Sequence, residues 1–260
     1  MRMILALAMM GGMAAPAGAH DFADLLPGTY TNTEQSYFQG EAGEEADPWL
    51  GVSIVRNDDG SFRLQRVDAF GEARGPAHDG SVAMQGELTA LTLDSCTRLF
   101  AADGEEFVLQ SSDGECGDQG VISRLGPNGM TLSGRNDRHL DMRRARPVSC
   151  WISVRKTDPV PEGESEWTFD NGLMMHDQGG RIRAGGGDSG APVAIARMRN
   201  VVWPAPSRNR PSLVLYIHTE DDPDRAVSYS WADPSANRIG INLRWMQASC
   251  TVQNEDDSGS

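Results

Sequence analysis

The sequence predicts an all-β protein with antiparallel strands, and three observations predict this fold class. Short segments alternate apolar and polar residues with a period of two. Turns rich in Gly, Asp and Asn separate these segments at intervals of roughly 8–12 residues. No convincing amphipathic helix follows the N-terminal segment.

The first element is a leader. Residues 1–19, MRMILALAMMGGMAAPAGA, place one arginine before an apolar run and small residues before a predicted cleavage after Ala19. No later stretch approaches the roughly 20 apolar residues that a membrane-spanning helix needs. We therefore expect a signal peptide over residues 1–19, a mature protein that is periplasmic or secreted, and no membrane span.

Strand candidates then follow one another through the first half of the mature chain. Residues 50–54 alternate, and Asn57–Gly60 predicts a hairpin turn before SFRLQRVDAF, residues 61–70. The later candidates of this series are LTALTLD, EFVLQSS, GVISRL, GMTLSG, HLDMRRA and VSCWISV.

A second β-rich series begins after a break. Residues 157–166, TDPVPEGESE, combine two prolines with several acidic residues and predict a linker. Beyond it, the apolar run at residues 212–219 indicates a strand buried on both faces, and residues 239–245 alternate cleanly. We expect a second β-rich unit or barrel extension over residues 167–253 and a disordered tail over residues 254–260.

Charge and cysteine content limit the partners. The chain has 23 basic and 37 acidic residues, so nucleic acid would repel it and no nucleic-acid partner is expected. Four cysteines in an exported chain predict two disulfides, for which three connectivities can form. We favour Cys96–Cys116, which could join neighbouring strands, with Cys150–Cys250 as the second pair. No metal site is expected, because Cys-x-x-Cys and His-x-x-x-His spacings are absent.

One short segment matches a catalytic motif. Residues 183–193, RAGGGDSGAPV, contain the Gly-Asp-Ser-Gly sequence that surrounds the nucleophile of chymotrypsin-like serine proteases. The Ala-Ala-His-Cys motif of that family is absent, and Ala191 stands where a second glycine is expected. A glycine-rich loop is the preferred interpretation, and a serine hydrolase using Ser189 is an alternative function.

The start of the mature chain carries a longer set of motifs. Gly28, Tyr30, Asn32 and Gln35 form a Gly-x-aromatic-x-Asn-x-x-Gln pattern. A Gln-Arg-Val segment follows at residues 65–67, and then two cysteines, Cys96 and Cys116, flank a Phe-containing strand. In these motifs, residues 25–156 resemble the CpcT/CpeT family of phycobiliprotein chromophore lyases.

The resemblance implies a calycin-like antiparallel β-barrel over residues 20–156 that holds a ligand in its mouth. It implies a small hydrophobic or tetrapyrrole-like ligand, no other cofactor, and a client protein as a further partner. The ligand-binding candidates are Tyr30, Asn32, Glu34, Gln35 and Arg66. Among them, Arg66 is expected to pair with a ligand carboxylate.

Two alternatives stay open beside this interpretation. Tyr30 and Asn32 can instead fix the entry of the first strand, and Arg66 can be an exposed strand residue or pair with an internal acid. Persistence of the lyase reaction is also open, because bilin attachment is intracellular and this chain is predicted to be exported. A non-catalytic interaction module of the cell envelope is the remaining functional alternative.

Overall fold

The computed structural model describes residues 21–116, 120–133 and 138–253. It has an all-β architecture with two separate hydrophobic cores, so the predicted fold class, a calycin-like antiparallel barrel with a C-terminal β-rich extension, is confirmed. The predicted signal peptide and the predicted tail lie outside the described residues. Within the described ranges, no helix has the length and apolar character needed to cross a membrane.

Ten antiparallel strands close into a barrel, in which each strand pairs with its neighbours in sequence and β1 also pairs with β10. The strands are β1 Gly28–Thr31, β2 Gly51–Arg56, β3 Phe62–Val67, β4 Ala73–Gln85, β5 Leu88–Leu93, β6 Cys96–Asp103, β7 Glu106–Gly114, β8 Val121–Gly126, β9 Gly129–Ser133 and β10 His139–Ala145. Alternation along the strands turns one set of side chains inward, where Val52, Ile54 and Phe62 are among the buried core residues.

Two helices accompany the barrel: α1, Phe22–Leu25, and α2, Thr33–Glu41. Asp21 caps α1 by accepting a hydrogen bond from the backbone N–H of Ala23. The Phe22 ring packs 4.9 Å from the Phe100 ring and 5.1 Å from the Phe107 ring, measured between centroids. Helix α1 therefore closes one end of the barrel with apolar side chains.

Eight further strands form two four-stranded sheets with a common core. The strands are β11 Pro147–Val154, β12 Asp170–His176, β13 Gln178–Ala184, β14 Ala194–Val201, β15 Ser212–Thr219, β16 Ser228–Ala232, β17 Arg238–Asn242 and β18 Met246–Val252. One sheet has the order β12-β11-β18-β17 and the other β13-β14-β15-β16. Both contribute to the core, for example through Ile152 of the first and Leu215 of the second, as in a β-sandwich.

The boundary between the two units differs from the sequence-based one. Strand β11 pairs with β12 and β18 and therefore belongs to the sandwich, whereas we expected the barrel to extend to residue 156. The segment at residues 157–166, predicted as a linker between units, connects β11 to β12 within the sandwich. The cause is that strand alternation identifies a buried face but does not identify the strand's partner.

Both favoured disulfides are present. Cys96–Cys116 links the start of β6 to the residues just after β7, and Cys150–Cys250 links β11 to β18 at directly opposed positions. The second bridge spans a sequence separation of 100 residues. In the chain-entropy model, closing a loop of that length stabilises the fold by about 4.7 kcal/mol. Two disulfides are also what an oxidising compartment permits.

The barrel and the sandwich are joined by polar contacts. The hydroxyl of Thr33 donates to the backbone carbonyl of Gln178 at 2.9 Å, and the backbone N–H of Arg181 donates to the carbonyl of Ala69 at 2.7 Å. The turn after β3 adds Phe70, whose ring lies 3.5 Å from the guanidinium carbon of Arg183. Through these contacts α2 and the β3–β4 turn cover part of one face of the β13-β14-β15-β16 sheet, and the β16 side of that face stays exposed at Tyr229 and Trp231.

Candidate functional site

The ligand-binding candidates Tyr30 and Asn32 are fully buried and hydrogen-bonded within the chain. The Tyr30 hydroxyl donates to the carbonyl of Leu25 at 2.7 Å and so ties α1 to the barrel core. The Asn32 amide donates to the carbonyl of Pro48 at 3.0 Å and accepts from the N–H of Leu50 at 2.7 Å. These contacts fix the ends of β1 and β2, which agrees with the alternative that Tyr30 and Asn32 hold the entry of the first strand.

Glu34 and Gln35 hold α2 in place. Glu34 accepts two hydrogen bonds from the Arg199 guanidinium, at 3.0 and 2.7 Å, across the junction with the sandwich. The Gln35 amide donates to the carbonyl of His139 at 2.8 Å and accepts from the N–H of Asp141 at 2.8 Å. The helix thus connects the barrel strand β10 to the sandwich strand β14.

Arg66 lies near the end of β3, directly opposite Val52 of β2. Opposed residues of paired strands share a face, so Arg66 occupies an inward-facing position of the barrel. Its side chain is nevertheless exposed to solvent. Arg66 therefore stands at the barrel rim, and the five sequence-based candidates do not converge on one cavity.

A different arginine lies inside the barrel. Arg98 of β6 is 8% exposed and shares the inward face with Cys96 and Phe100, both of which are buried. Its cross-strand neighbours are Leu91 of β5 and Ser112 of β7. Its Nε atom is shielded from solvent and has no hydrogen-bond partner, and no ion pair reaches Arg98 from the described residues. Burial lowers the pKa of Arg98 from its ordinary value.

Sequence reasoning missed Arg98, although a signal was present. In the segment CTRLF, residues 96–100, the arginine has the same strand phase as a cysteine and a phenylalanine. An arginine in the buried phase of a β-strand places a cation toward a core, where long charged side chains are rarely found unless paired.

A cleft of about 520 Å³ lies between the barrel wall and the sandwich. Its lining includes Val55, Phe70, Met174, His176 and Arg181. Nδ1 of His176 accepts from the N–H of Gln178 at 3.3 Å, while Nε2 is shielded and has no partner among the described residues. Burial lowers the pKa of His176 to about 4, against a smaller opposing effect of Asp177.

Ser189 occupies a tight turn over Gly187–Ser189. Its hydroxyl donates to the carbonyl of Gly186 at 2.6 Å and accepts from the N–H of Ala191 at 3.2 Å. A serine nucleophile needs a histidine base on its hydroxyl, and no histidine of the described ranges bonds to Ser189. The Gly-Asp-Ser-Gly sequence here forms the connection between β13 and β14.

No protein-family model, curated protein or solved structure matches the chain. Among the chain's own residues, the buried Arg98 stands out as a cation on the inner face of an apolar barrel.

Proposed function

We propose that the protein is an exported, non-catalytic binding protein whose barrel takes a small amphipathic acid, a mainly apolar molecule that carries a carboxylate. The observation that supports the proposal is the Arg98 guanidinium on the inner face of the barrel, whose shielded Nε atom has no hydrogen-bond partner among the described residues. The predicted leader and the two disulfides support export.

A bound carboxylate would supply what Arg98 lacks. Burying a charge without a partner costs several kcal/mol, and a planar guanidinium matches a carboxylate with two parallel hydrogen bonds. The chain has 37 acidic residues, yet none of those in the described ranges forms an ion pair with Arg98. The Nε atom has no partner in residues 21–116, 120–133 and 138–253, and a ligand can supply one.

The surroundings of Arg98 suit an apolar ligand body. Leu91, directly opposite on β5, is itself opposed by Val82 of β4, so these three side chains form one row across the inner face. Leu93 lies opposite Cys96, one inward position away. Val82 and Leu93 are only partly buried and pack against the barrel core. An apolar group that covered them would remove further hydrocarbon surface from water.

Within this ligand class we favour a tetrapyrrole-like molecule, whose ring system is largely apolar and whose propionate side chains are carboxylates. The resemblance of residues 25–156 to CpcT/CpeT proteins supports this choice. Transfer of the ligand to a client protein is the activity that the resemblance adds. Binding alone is sufficient to explain Arg98.

The test compares two arginine variants. Biliverdin, haem and palmitate would be titrated into wild type, Arg98→Met and Arg66→Met, with hexadecanol as the carboxylate-free partner of palmitate. A hydrogen bond to a charged group contributes about 1.5–3 kcal/mol, so Arg98→Met should bind roughly 10- to 150-fold more weakly. Arg66→Met, at the rim, should bind like wild type.

Circular dichroism would establish that both variants fold. Equal binding of a carboxylate ligand by wild type and Arg98→Met would overturn the proposal. So would the failure of all three acids to bind, combined with the absence of a co-purifying acid in native mass spectrometry of the exported protein. That result would leave the envelope interaction module as the better interpretation.

A further inference from the structure

A second arginine without a counter-ion among the described residues lies on the sandwich, on the face that α2 and the β3–β4 turn partly cover. The register of the β13-β14-β15-β16 sheet places Arg181, Arg197, Tyr216 and Tyr229 directly opposite one another in a single row. The row lies on the face turned away from the sandwich core, because the core takes Ala196, Met198 and Leu215 from the alternate positions. Arg197 stands in the second place of this row, between another arginine and a tyrosine.

The two arginines nearest Arg197 are already satisfied. Arg199, two residues along β14, is held by Glu34 and lies under the Tyr37 ring, with 3.9 Å between guanidinium carbon and ring centroid. Arg181 donates to the carbonyl of Pro223 at 3.0 Å and forms an ion pair with Asp224 at 3.4 Å.

Arg197 itself has no such partner among the described residues. Its Nε atom is shielded from solvent without a hydrogen-bond partner. Burial lowers the pKa of Arg197 to about 10, and the like charges of Arg199 and Arg181 add to this effect. Four arginines thus lie on one face, Arg181, Arg183, Arg197 and Arg199. Among the described residues, Arg197 has no counter-ion in direct contact.

His218 is an independent sign that a ligand belongs here. It lies on the same face of β15 as Tyr216, it is 2% exposed, and both ring nitrogens are shielded, with no hydrogen bond of good geometry to any described residue. Burial lowers the pKa of His218 most, and the charges of Arg181 and Arg197 lower it further, against smaller opposing effects of a hydrogen bond to the Arg225 backbone and of the Asp224 charge. A neutral histidine beside cations can donate to an anion or accept from a hydroxyl.

Aromatic side chains continue the face outward from Arg197. Tyr229 is 64% exposed and its ring lies 6.3 Å from the Tyr216 ring, while Trp231, two residues along the same strand, is 71% exposed. Residues two apart in a strand point to the same side, so both rings stand on the outer face. The arrangement therefore combines a cation at depth with flat apolar surface at the edge of the sheet.

We propose that Arg197 anchors a second ligand site on the outer face of the sandwich, which takes the oxyanion of a small molecule bearing a flat apolar group. Carboxylate and phosphate share the required chemistry, since both present paired oxygens to a guanidinium. His218 and Tyr216 contribute polar contacts beside the oxyanion, and Tyr229 with Trp231 covers the apolar group.

The experiment uses three small aromatic probes of similar size: benzoate, phenyl phosphate and the neutral benzyl alcohol. Each is titrated by calorimetry into wild type, Arg197→Met, Arg197→Lys and Arg208→Met. Arg208 lies in the exposed loop between β14 and β15 and serves as the matched control for loss of one positive charge. All four proteins are expected to fold, because replacing an unpaired buried charge by an apolar side chain is neutral or stabilising.

We expect millimolar or tighter binding of at least one anionic probe by wild type and Arg208→Met, with no binding of benzyl alcohol. Arg197→Met should weaken that binding at least tenfold, and Arg197→Lys should weaken it less, because lysine keeps the charge but loses the planar pair of donors. Tighter binding of benzoate would identify the ligand's oxyanion as a carboxylate, and tighter binding of phenyl phosphate would identify it as a phosphate.

Undiminished binding by Arg197→Met, or failure of wild type to bind either anion, would overturn the inference. Benzoate also belongs to the ligand class proposed for the barrel, so the same titrations are repeated with Arg98→Met present in every protein. Binding that persists in Arg98→Met and is lost in Arg98→Met/Arg197→Met belongs to the sandwich site, whatever the outcome for the barrel.

Discussion

Arg199→Met should be among the most destabilising single substitutions in this protein. Arg199 and Glu34 have side chains only 3% and 4% exposed, and the guanidinium makes two hydrogen bonds to one carboxylate oxygen. The pair joins α2 to β14 and so joins the barrel to the sandwich. Removing the arginine leaves the Glu34 carboxylate buried without a partner.

The size of the effect follows from that buried charge. Breaking a buried ion pair by removing one partner costs about 3–5 kcal/mol. Arg199 also lies under the Tyr37 ring, so a cation–π contact of about 1–2 kcal/mol is lost with it. We therefore expect Arg199→Met to lower the free energy of unfolding by about 4–7 kcal/mol, a large part of the 5–15 kcal/mol typical of a native protein.

The double variant Glu34→Leu/Arg199→Met separates charge from packing. With both charges gone, neither member of the pair is left buried without the other, and most of the lost stability should return. Urea unfolding of wild type, the two single variants and the double variant, followed by tryptophan fluorescence and circular dichroism, gives the coupling energy. The reasoning would be refuted if Arg199→Met lowered the free energy of unfolding by less than about 1 kcal/mol. It would also be refuted if the double variant were no more stable than the less stable of the two single variants.

Two further predictions concern the sandwich. Gly185→Ala should lower the midpoint of thermal unfolding far more than Gly187→Ala. Gly185 has φ +73°, and an added Cβ would lie 2.5 Å from the Pro192 carbonyl oxygen, whereas Gly187 (φ +55°) faces open space, so Gly187→Ala should lower the free energy of unfolding by only about 1–2 kcal/mol. Equal losses of stability in the two variants would contradict this. Burial lowers the pKa of His176 from 6.5 to about 4, so the unfolded chain binds a proton that the folded chain does not. Its contribution to stability is complete above pH 6.5 and falls by about 3 kcal/mol as the pH drops toward 4. Urea midpoints for wild type and His176→Gln between pH 4 and 7 should diverge accordingly, and parallel curves would count against the shift.

Sequence reasoning reached the strands more easily than their partners. Alternation at residues 50–54 and 239–245 predicted β2 and β17, since burial of one face fixes the period. The alternating residues of β11 look the same whether the strand completes a barrel or a sandwich, so its place next to β18 was not predictable. The predicted Cys150–Cys250 disulfide implies that β11 and β18 are neighbours, because bridged cysteines must lie close together.

The site residues illustrate a second limit. The motif at residues 28–35 is distinctive in sequence, but the polar atoms of Tyr30 and Asn32 form hydrogen bonds within the chain, at the ends of the first strands. Arg66 and Arg98 both occupy inward-facing positions of their strands. They differ in how far from the end of the barrel they lie, so Arg66 is exposed at the rim and Arg98 is shielded in the interior. Depth depends on strand stagger in the closed barrel, which local patterns do not encode.

Arg98 and Arg197 have a property in common that bears on both proposals. In a chain with 37 acidic and 23 basic residues, an arginine that has no counter-ion in the described part of the chain does not reflect a shortage of carboxylates. Most buried arginines of a stable fold are paired, as Arg199 is, because an unpaired one lowers stability. Methionine at either position should therefore leave the free energy of unfolding unchanged or raise it in the absence of ligand. An arginine whose removal does not weaken the fold is explained by what it binds, since stability and function draw on different interactions at such positions.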